Sequence, residues 1–469
     1  MDDLMILIPF ALLILINLLP RKIRTGFAYW ATLAAGGFQC LIAALTPFNV
    51  WQGMPRLRLE QVFGFNLQLS SLMAILLLTA GLVGACALLV ARFTLKNENE
   101  QFNFNNLLLI ALIGMNGIAL TRDLFTLYVF IEVTALATFV LINLFRRKES
   151  YEAIWKYLIM SVVASTLMLS ALALFLIFAG GTSFLAINSA LQTTNADWLP
   201  KAAIALFVCG LFVKGGLVPF HGWVPDAYSA APAPVSVLLA GIVTKASGIY
   251  ALARLANVIS FTVPLQQMML LFGAVSIVFG ALAALNQRDL KRLLAYSSIS
   301  QVGYIVMAIA TGTKFGLFAA MFHFFNHAVF KAQLFANAAA LEEQLGTNDL
   351  EKMAGLGTKM PVTGLTALIA SLSTAGLPPL AGFWSKLLII VALWVAGYPL
   401  YALLAILASA ITLAYFLLLQ RSAFFGKPLA GASAVKEARA GLLVPAVLLA
   451  VITVVVGLGF PFVMTMFMR

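Results

Sequence analysis

Four lysines and one carboxylate stand where only hydrocarbon-like neighbours are available. Of the 29 lysines and arginines, 25 lie in or beside short polar breaks, whereas Lys214, Lys245, Lys331 and Lys386 lie inside long apolar runs. Glu132 is the one carboxylate well inside such a run. A charge at that depth is costly unless it is paired, hydrated or neutralised. Groups of this kind take up and release protons, so the economical reading is a chain of proton-exchanging stations. His323, His327 and Lys331 follow at i, i+4 and i+8, one face of a single helix. A hydrated relay and plain packing both fit that face. The histidine spacing also suits metal ligands, yet no cysteine or carboxylate on that span completes a site.

Each group has a structural alternative. Glu132 and Lys214 can form an inert ion pair or one that switches. Lys245 can snorkel toward a loop on its long stem, although it sits near the middle of its run. Lys386 can satisfy carbonyls at a helix end. His221 and Asp226 either take up protons near the cytoplasmic side or cap half-helices. Ser297, Ser298, Ser300, Gln301 and Tyr304 suit hydrogen-bonded water, or bond the backbone.

The elements that must position these groups are membrane helices. The chain is 62% hydrophobic and 10% charged, far below the roughly 25% charge of a soluble domain. Apolar runs long enough to cross a bilayer fall near 3–20, 27–46, 70–92, 104–121, 123–144, 154–179, 201–229, 233–254, 263–286, 294–312, 314–341, 361–396, 400–420 and 441–466. The fold class is therefore all-α, with about fourteen transmembrane helices. The first run, Leu4 to Leu19, lacks a basic start and a small-residue cleavage site and reads as a retained helix. Two spans are broken: one at Lys214-Gly215-Gly216-Leu217-Val218-Pro219, the other at Gly376-Leu377-Pro378-Pro379-Leu380-Ala381-Gly382. Proline removes a backbone donor and glycine weakens the helix, so both should unwind at membrane depth. Paired broken helices mark inverted repeats, here spans 4–8 and 9–13. We expect a single polytopic domain over 1–469, comprising 1–103, repeats 104–254 and 263–420, and a final 421–469. Residues 47–69 have the alternation of a small hairpin, and 421–440 reads as a cytoplasmic connection with room for an amphipathic surface helix.

The densest motif is Lys214-Gly215-Gly216-Leu217-Val218-Pro219-Phe220-His221-Gly222-Trp223-Val224-Pro225-Asp226-Ala227, continuing through Ala231-Pro232-Ala233-Pro234-Val235-Ser236 to Lys245. With Asp123-Leu124-Phe125-Thr126-Leu127-Tyr128 leading to Glu132, Lys156-Tyr157, Arg292-Leu293-Leu294-Ala295-Tyr296-Ser297-Ser298-Ile299 and the second break, it closely resembles the proton-conducting antiporter-like membrane subunits. These occur in respiratory complex I, energy-converting membrane hydrogenases and Mrp antiporters, and the D-type branch of Mrp is most similar. The resemblance covers roughly 70–420. It implies fourteen helices, two inverted five-helix repeats and a polar axis at the membrane midplane. By the same resemblance Glu132 matches the essential glutamate, Lys214 the lysine at the first break, Lys245 the connecting lysine and Lys386 the lysine near the second break.

The expected function is proton translocation within a redox-driven membrane complex of the hydrogenase or quinone-reductase type. The alternatives are a D-type subunit of a sodium/proton antiporter and a passive scaffold. The proton stations are Glu132, Lys214, Lys245, His327, Lys331 and Lys386, with His221, Asp226, His323 and Lys156 secondary. Sodium prefers several oxygen ligands, which this axis does not offer, so sodium would use another site or subunit. No phosphate loop, dinucleotide fingerprint or iron–sulfur cysteine spacing occurs, since Cys40, Cys86 and Cys209 are isolated. No cofactor, metal or redox catalysis is expected in this chain. Expected partners are other membrane subunits and lipid, with no nucleic acid. The charge of +12 comes from loops and buried lysines.

Basic loops set orientation. Seven of the 25 loop cations (Arg56, Arg58, Arg122, Lys201, Arg254, Lys314 and Arg469) fall on the side of the termini and the other 18 opposite. Both termini should thus face away from the cytoplasm of a bacterial or archaeal inner membrane. A reporter fused at residue 469 should behave as periplasmic and one near residue 430 as cytoplasmic. The opposite pattern would overturn the fourteen-helix count.

Overall fold

The computed structural model describes residues 3–46, 71–193, 198–426 and 435–468. Among them the chain is helical, and pairing between extended segments is limited to two isolated bridges. The main helices are α1 (Leu4–Leu18), α2 (Arg21–Leu45), α3 (Ser71–Thr94), α4 (Glu98–Leu120), α5 (Leu124–Ile142), α6 (Lys148–Ala179), α7 (Phe184–Thr193), α8 (Trp198–Gly215) and α9 (Trp223–Ala230). Next come α10 (Ala233–Val258) and α11 (Val263–Leu285). The rest are α12 (Leu290–Ala310), α13 (Lys314–Leu345), α14 (Pro361–Ala375), α15 (Ala381–Val395), α16 (Pro399–Ala423), α17 (Ala440–Leu458) and α18 (Phe460–Met468). Eleven of these are long and apolar enough to cross a membrane. With α1, α13 and the broken pair α14–α15 counted as one, the described helices supply the fourteen expected crossings.

Several helices outrun their apolar cores. α6 begins six residues before its expected start, at a polar turn Lys148-Glu149-Ser150-Tyr151-Glu152, because a helix continues into water where hydropathy no longer marks it. The short α7 has no counterpart among the expected spans. The expected hairpin at 47–69 lies outside the described residues. Of 421–440, α16 ends at Ala423 and 435–439 are not helical, so an amphipathic helix has no room there except within 427–434, outside the described residues.

Two compact units are present. The first comprises 1–85, 98–216 and 243–265; the second comprises 86–97, 217–242 and 266–469. In the first, Ile16, Ala28, Phe102 and Leu109 form a core cluster. Pro9 inside α1 has no N–H for the Met5 carbonyl one turn earlier. Asn116 Nδ2 replaces it at 2.7 Å and also donates to Gln39 Oε1 at 3.0 Å. Gln39 in turn donates to the Leu77 carbonyl at 2.9 Å. At the C-terminal end of α4, the buried Arg254 guanidinium donates to the Ala119 carbonyl at 2.6 Å and to that of Thr121. Cations complement carbonyl-rich helix ends, and Arg254 therefore acts as a cap, where the sequence reads a loop charge. In the second unit, Glu437 serves the start of α14, accepting from the Val362 N–H at 2.7 Å and Thr363 Oγ1 at 2.7 Å.

The internal repeat keeps its spacing over two helices. Asp123 caps α5 by accepting from the Thr126 N–H at 2.9 Å, and Asp289 caps α12 by accepting from the Arg292 N–H at 2.8 Å. Asp123 bridges Ser183, and Asp289 bridges Asp349. The helices between, α6 and α13, each span 32 residues and end at Gly180 and Gly346, both with φ of 66°. Each landmark in the second set lies 166 residues after the first. The breaks follow the same plan, with Gly216 at φ 68° and Gly376 at φ 89° leading into Val218–Pro219 and Pro378–Pro379.

Lys245 lies in a stretch of α10 wound with i→i+5 bonds, Lys245–Tyr250. Gly248 in that stretch packs directly on the end of α8. A Cβ there would fall 2.3 Å from the Gly215 nitrogen and 2.9 Å from the Leu211 carbonyl. Gly248→Ala should therefore separate α10 from α8 at a cost of about 1–3 kcal/mol, read as a lower melting temperature of the purified complex. Gly222→Ala, where an added Cβ meets nothing within 4 Å, should leave it unchanged.

Candidate proton-transfer site

In the first unit, α5, α6 and α8 converge on one ion pair. Lys214 sits at the last turn of α8, beside the break, with 1% of its side chain exposed. Its Nζ lies 2.8 Å from Glu132 Oε1 on α5 and donates to Ser161 Oγ on α6 at 2.6 Å. Ser165 donates to the same Glu132 oxygen at 2.7 Å and to the Ser161 carbonyl at 2.8 Å. The pair is asymmetric, because Glu132 remains 26% exposed, on the face of α5 shared by Phe125, Val129, Leu136 and Val140. Lys245 is fully enclosed in α10 of the same unit. Lys156 is on the exposed side of α6, where it pairs with Glu152 one turn earlier at 2.7 Å.

The second unit holds the remaining groups. Lys386, on half-helix α15, donates to Ser409 Oγ at 3.3 Å and to the Ala375 carbonyl, where α14 ends, at 3.5 Å. Its ammonium stands 4.6 Å over the Tyr304 ring. Tyr304 Oη donates to the Ala405 carbonyl at 2.8 Å and is 3.1 Å from Ser409 Oγ. The residue next to Lys386, Ser385, meets His323 Nδ1 at 2.8 Å. Along α13, His323 and His327 lie 6.1 Å apart with rings 7° from parallel. Lys331 follows, donating to the Leu294 carbonyl at 3.0 Å and to Ser297 Oγ on α12. Lys386, Tyr304, Ser385, His323, His327, Lys331 and Ser297 are buried, and Ser409 is half-buried. The line from Lys331 through His327 and His323 to Lys386 is thus lined by neutral hydroxyls, carbonyls and an aromatic face.

His221 and Asp226 flank the start of α9. The His221 ring sits edge-on to Phe279 at 4.6 Å and 6.5 Å from the Tyr296 ring. Asp226 Oδ1 is 2.5 Å from Arg292 Nη1. The structure thus joins Glu132 to Lys214, and Lys331, His327, His323 and Lys386 into one file, and pairs Asp226 with Arg292. Sequence reasoning missed Ser161, Ser165, Ser385 and Ser409. For Ser161 and Ser165 an i, i+4 pair inside an apolar run was available as a signal; single serines such as Ser409 carry none.

The chain is similar to several known membrane proteins. The sequence profile of the family described as NADH:quinone oxidoreductase/Mrp antiporter, TM matches residues 121–412. The N subunit of the NADH-quinone oxidoreductase of Desulforudis audaxviator is 33% identical, over 97% of this chain and 95% of its own length. The D-type Na(+)/H(+) antiporter subunit of Alkalihalophilus pseudofirmus is 30% identical, over 93% of this chain and 88% of its own. A chain of the membrane-bound sulfane sulfur reductase, an archaeal respiratory membrane complex, superposes with a TM-score of 0.88 at 28% identity, over 100% of this chain and 96% of that one.

Breaking the pair predicts losses that do not add. Glu132→Gln leaves a fully buried ammonium without its counter-charge, and breaking a buried pair in this way costs about 3–5 kcal/mol. Lys214→Met leaves the Glu132 carboxylate without its counter-charge, on a face it shares with exposed apolar side chains of a membrane span, and should destabilise comparably. The double variant should melt closer to the native protein than Glu132→Gln does. Melting temperatures of the assembled complex check the order.

Proposed function

Because the chain belongs to the NADH:quinone oxidoreductase/Mrp antiporter transmembrane family, we propose that it is a proton-translocating, antiporter-like subunit of a redox-driven multisubunit membrane complex. The observation that carries this reading is the Glu132–Lys214 contact at 2.8 Å beside a broken helix. While the two groups touch, the carboxylate holds the ammonium in its charged form. Once they separate, the enclosed lysine is no longer compensated and its proton moves on. Ser161 and Ser165 keep both groups oriented in either state.

From Lys214 the proton passes by Lys245 toward the file on α13. His327 and Lys331 relay it, His323 and Ser385 hand it on, and Lys386 releases it. Lys386 is suited to release because its hydrogen-bond partners, Ser409 and the Ala375 carbonyl, are dipoles and not fixed negative charges. His221 and Asp226 form the uptake region, and Lys156 lies on the approach to the first pair. Charge arriving at one station biases the next, which couples distant sites without a large domain motion. The chain carries no redox motif, so the driving reaction occurs in partner subunits, which also pack laterally against it. In the inner membrane of a bacterium or archaeon, its termini lie on the non-cytoplasmic side.

A second reading, the D-type subunit of a sodium/proton antiporter, is favoured by the similarity to the antiporter relative across nearly its whole length. Proton uptake into vesicles separates the two: electron-donor-driven uptake without sodium supports the first, and uptake driven by a sodium gradient alone supports the second. In either case Glu132→Ala, Lys214→Ala and Lys386→Ala should each abolish most transport with assembly intact. Glu132→Asp should restore much of it. Near-normal transport in all three alanine variants would reduce these residues to structural roles.

A further inference from the structure

Arg292 reads in sequence as one charge of a solvated loop, Arg288-Asp289-Leu290-Lys291-Arg292. The structure uses it differently. It occupies the first turn of α12, and its Nη1 reaches back 66 residues to Asp226 Oδ1 on half-helix α9 at 2.5 Å. The other cations nearby have acids of their own. Lys291, 3% exposed, holds Glu342 at 2.6 Å, Arg288 holds Glu351 at 3.0 Å and Lys352 holds Asp349 at 3.5 Å. The Asp226–Arg292 pair is therefore specific and not part of a shared cloud of charge.

Its position matters because of what lies beneath. One turn along α12 from Arg292, the Tyr296 ring stands 6.5 Å from both His221 and Phe279. Together these two rings wall one side of the half-buried His221 imidazole, whose Nδ1 is shut off from the surface. The pair itself is partly open, with Arg292 37% and Asp226 19% exposed. It lies one turn of α12 from Tyr296, whose ring stands beside the histidine. The repeat singles out the same place. Asp226 follows Gly216 by ten residues, as Lys386 follows Gly376, so the two half-helices carry a charged group at one equivalent position.

We propose that Arg292 is a gating residue: its ion pair with Asp226 latches half-helix α9 to the start of α12 and closes the aqueous approach to His221. The proposal rests on the reading above only in making His221 a group that takes up protons. A charge-assisted contact of this kind is short and directional. It is also exposed enough to open without unfolding the helices it joins.

The test reads accessibility as well as transport. The full complex in vesicles is treated with diethyl pyrocarbonate, which acylates accessible imidazoles, and modification is followed residue by residue by peptide mass spectrometry. In Asp226→Asn and Arg292→Gln, His221 should react about threefold faster or more, while Arg292→Lys, which keeps the pair, stays within about twofold of native. His323 and His327 should be unaffected, which separates an open latch from general loosening. Should the neutral variants fail to assemble, Asp226→Cys with Arg292→Cys joined by a short bismaleimide should slow His221 modification and stop transport. Unchanged His221 reactivity in the neutral variants, or in the cross-linked protein, would overturn the latch and leave the pair a structural staple. Absence of proton transport in the native complex would instead refute the proposed function, leaving the accessibility result standing.

Discussion

The ammonium of Lys214 can remain charged in its enclosed position only while Glu132 and Ser161 supply what water would have supplied. Much of the first unit follows from that requirement. α5, α6 and α8 must meet at one depth, and where α8 ends beside Lys214 the freed carbonyls must face protein and not lipid. The glycines of the break permit the backbone to turn, and the lack of a side chain at Gly248 lets α10 close over the end of α8. The polar pair and the broken helix thus share one place, and both depend on being enclosed by protein.

The repeat keeps the backbone and redistributes the charges. Ser161 and Ser165 on α6 stand 166 residues before His327 and Lys331 on α13, at the same places on helices of equal length. Glu132 on α5 corresponds to Ser298 on α12. Where the first repeat places hydroxyls to steady a carboxylate and a lysine from other helices, the second places the titratable groups on the long helix itself. The same scaffold therefore holds one compact ion pair and one extended file. With a serine standing where the first repeat has its glutamate, Lys331 and Lys386 lean on hydroxyls and carbonyls instead.

Much of this was legible in the sequence because membrane helices announce themselves by apolar runs, and because Gly-Pro clusters within such runs have few other uses. The lysines and Glu132 stood out for the same reason, as charges with no cheap alternative. What sequence could not supply were partners distant along the chain. Arg254 looks like a loop cation until its carbonyl partners on α4 are seen, and Arg292 until Asp226 is. Ser161 and Ser409 carry no signal of depth or direction on their own. Helix ends also escaped, since the polar turns that extend α6, α12 and α13 into water look like loops when hydropathy is the only guide.

α12 illustrates a broader consequence of building a membrane protein around a wet axis. Its most apolar stretch is 94% buried, against 28% for α6 and 39% for α17. A helix so enclosed touches other protein on nearly every side, so bilayer thickness and lateral pressure reach it only through its neighbours. Freed from meeting lipid, it can carry Ser297, Ser298, Ser300, Gln301 and Tyr304 along its length. α13, with its two histidines and a lysine, is not among the eleven helices apolar enough to qualify as spans. In α12 and α13 polarity thus lies on the enclosed helices, the reverse of a soluble globule.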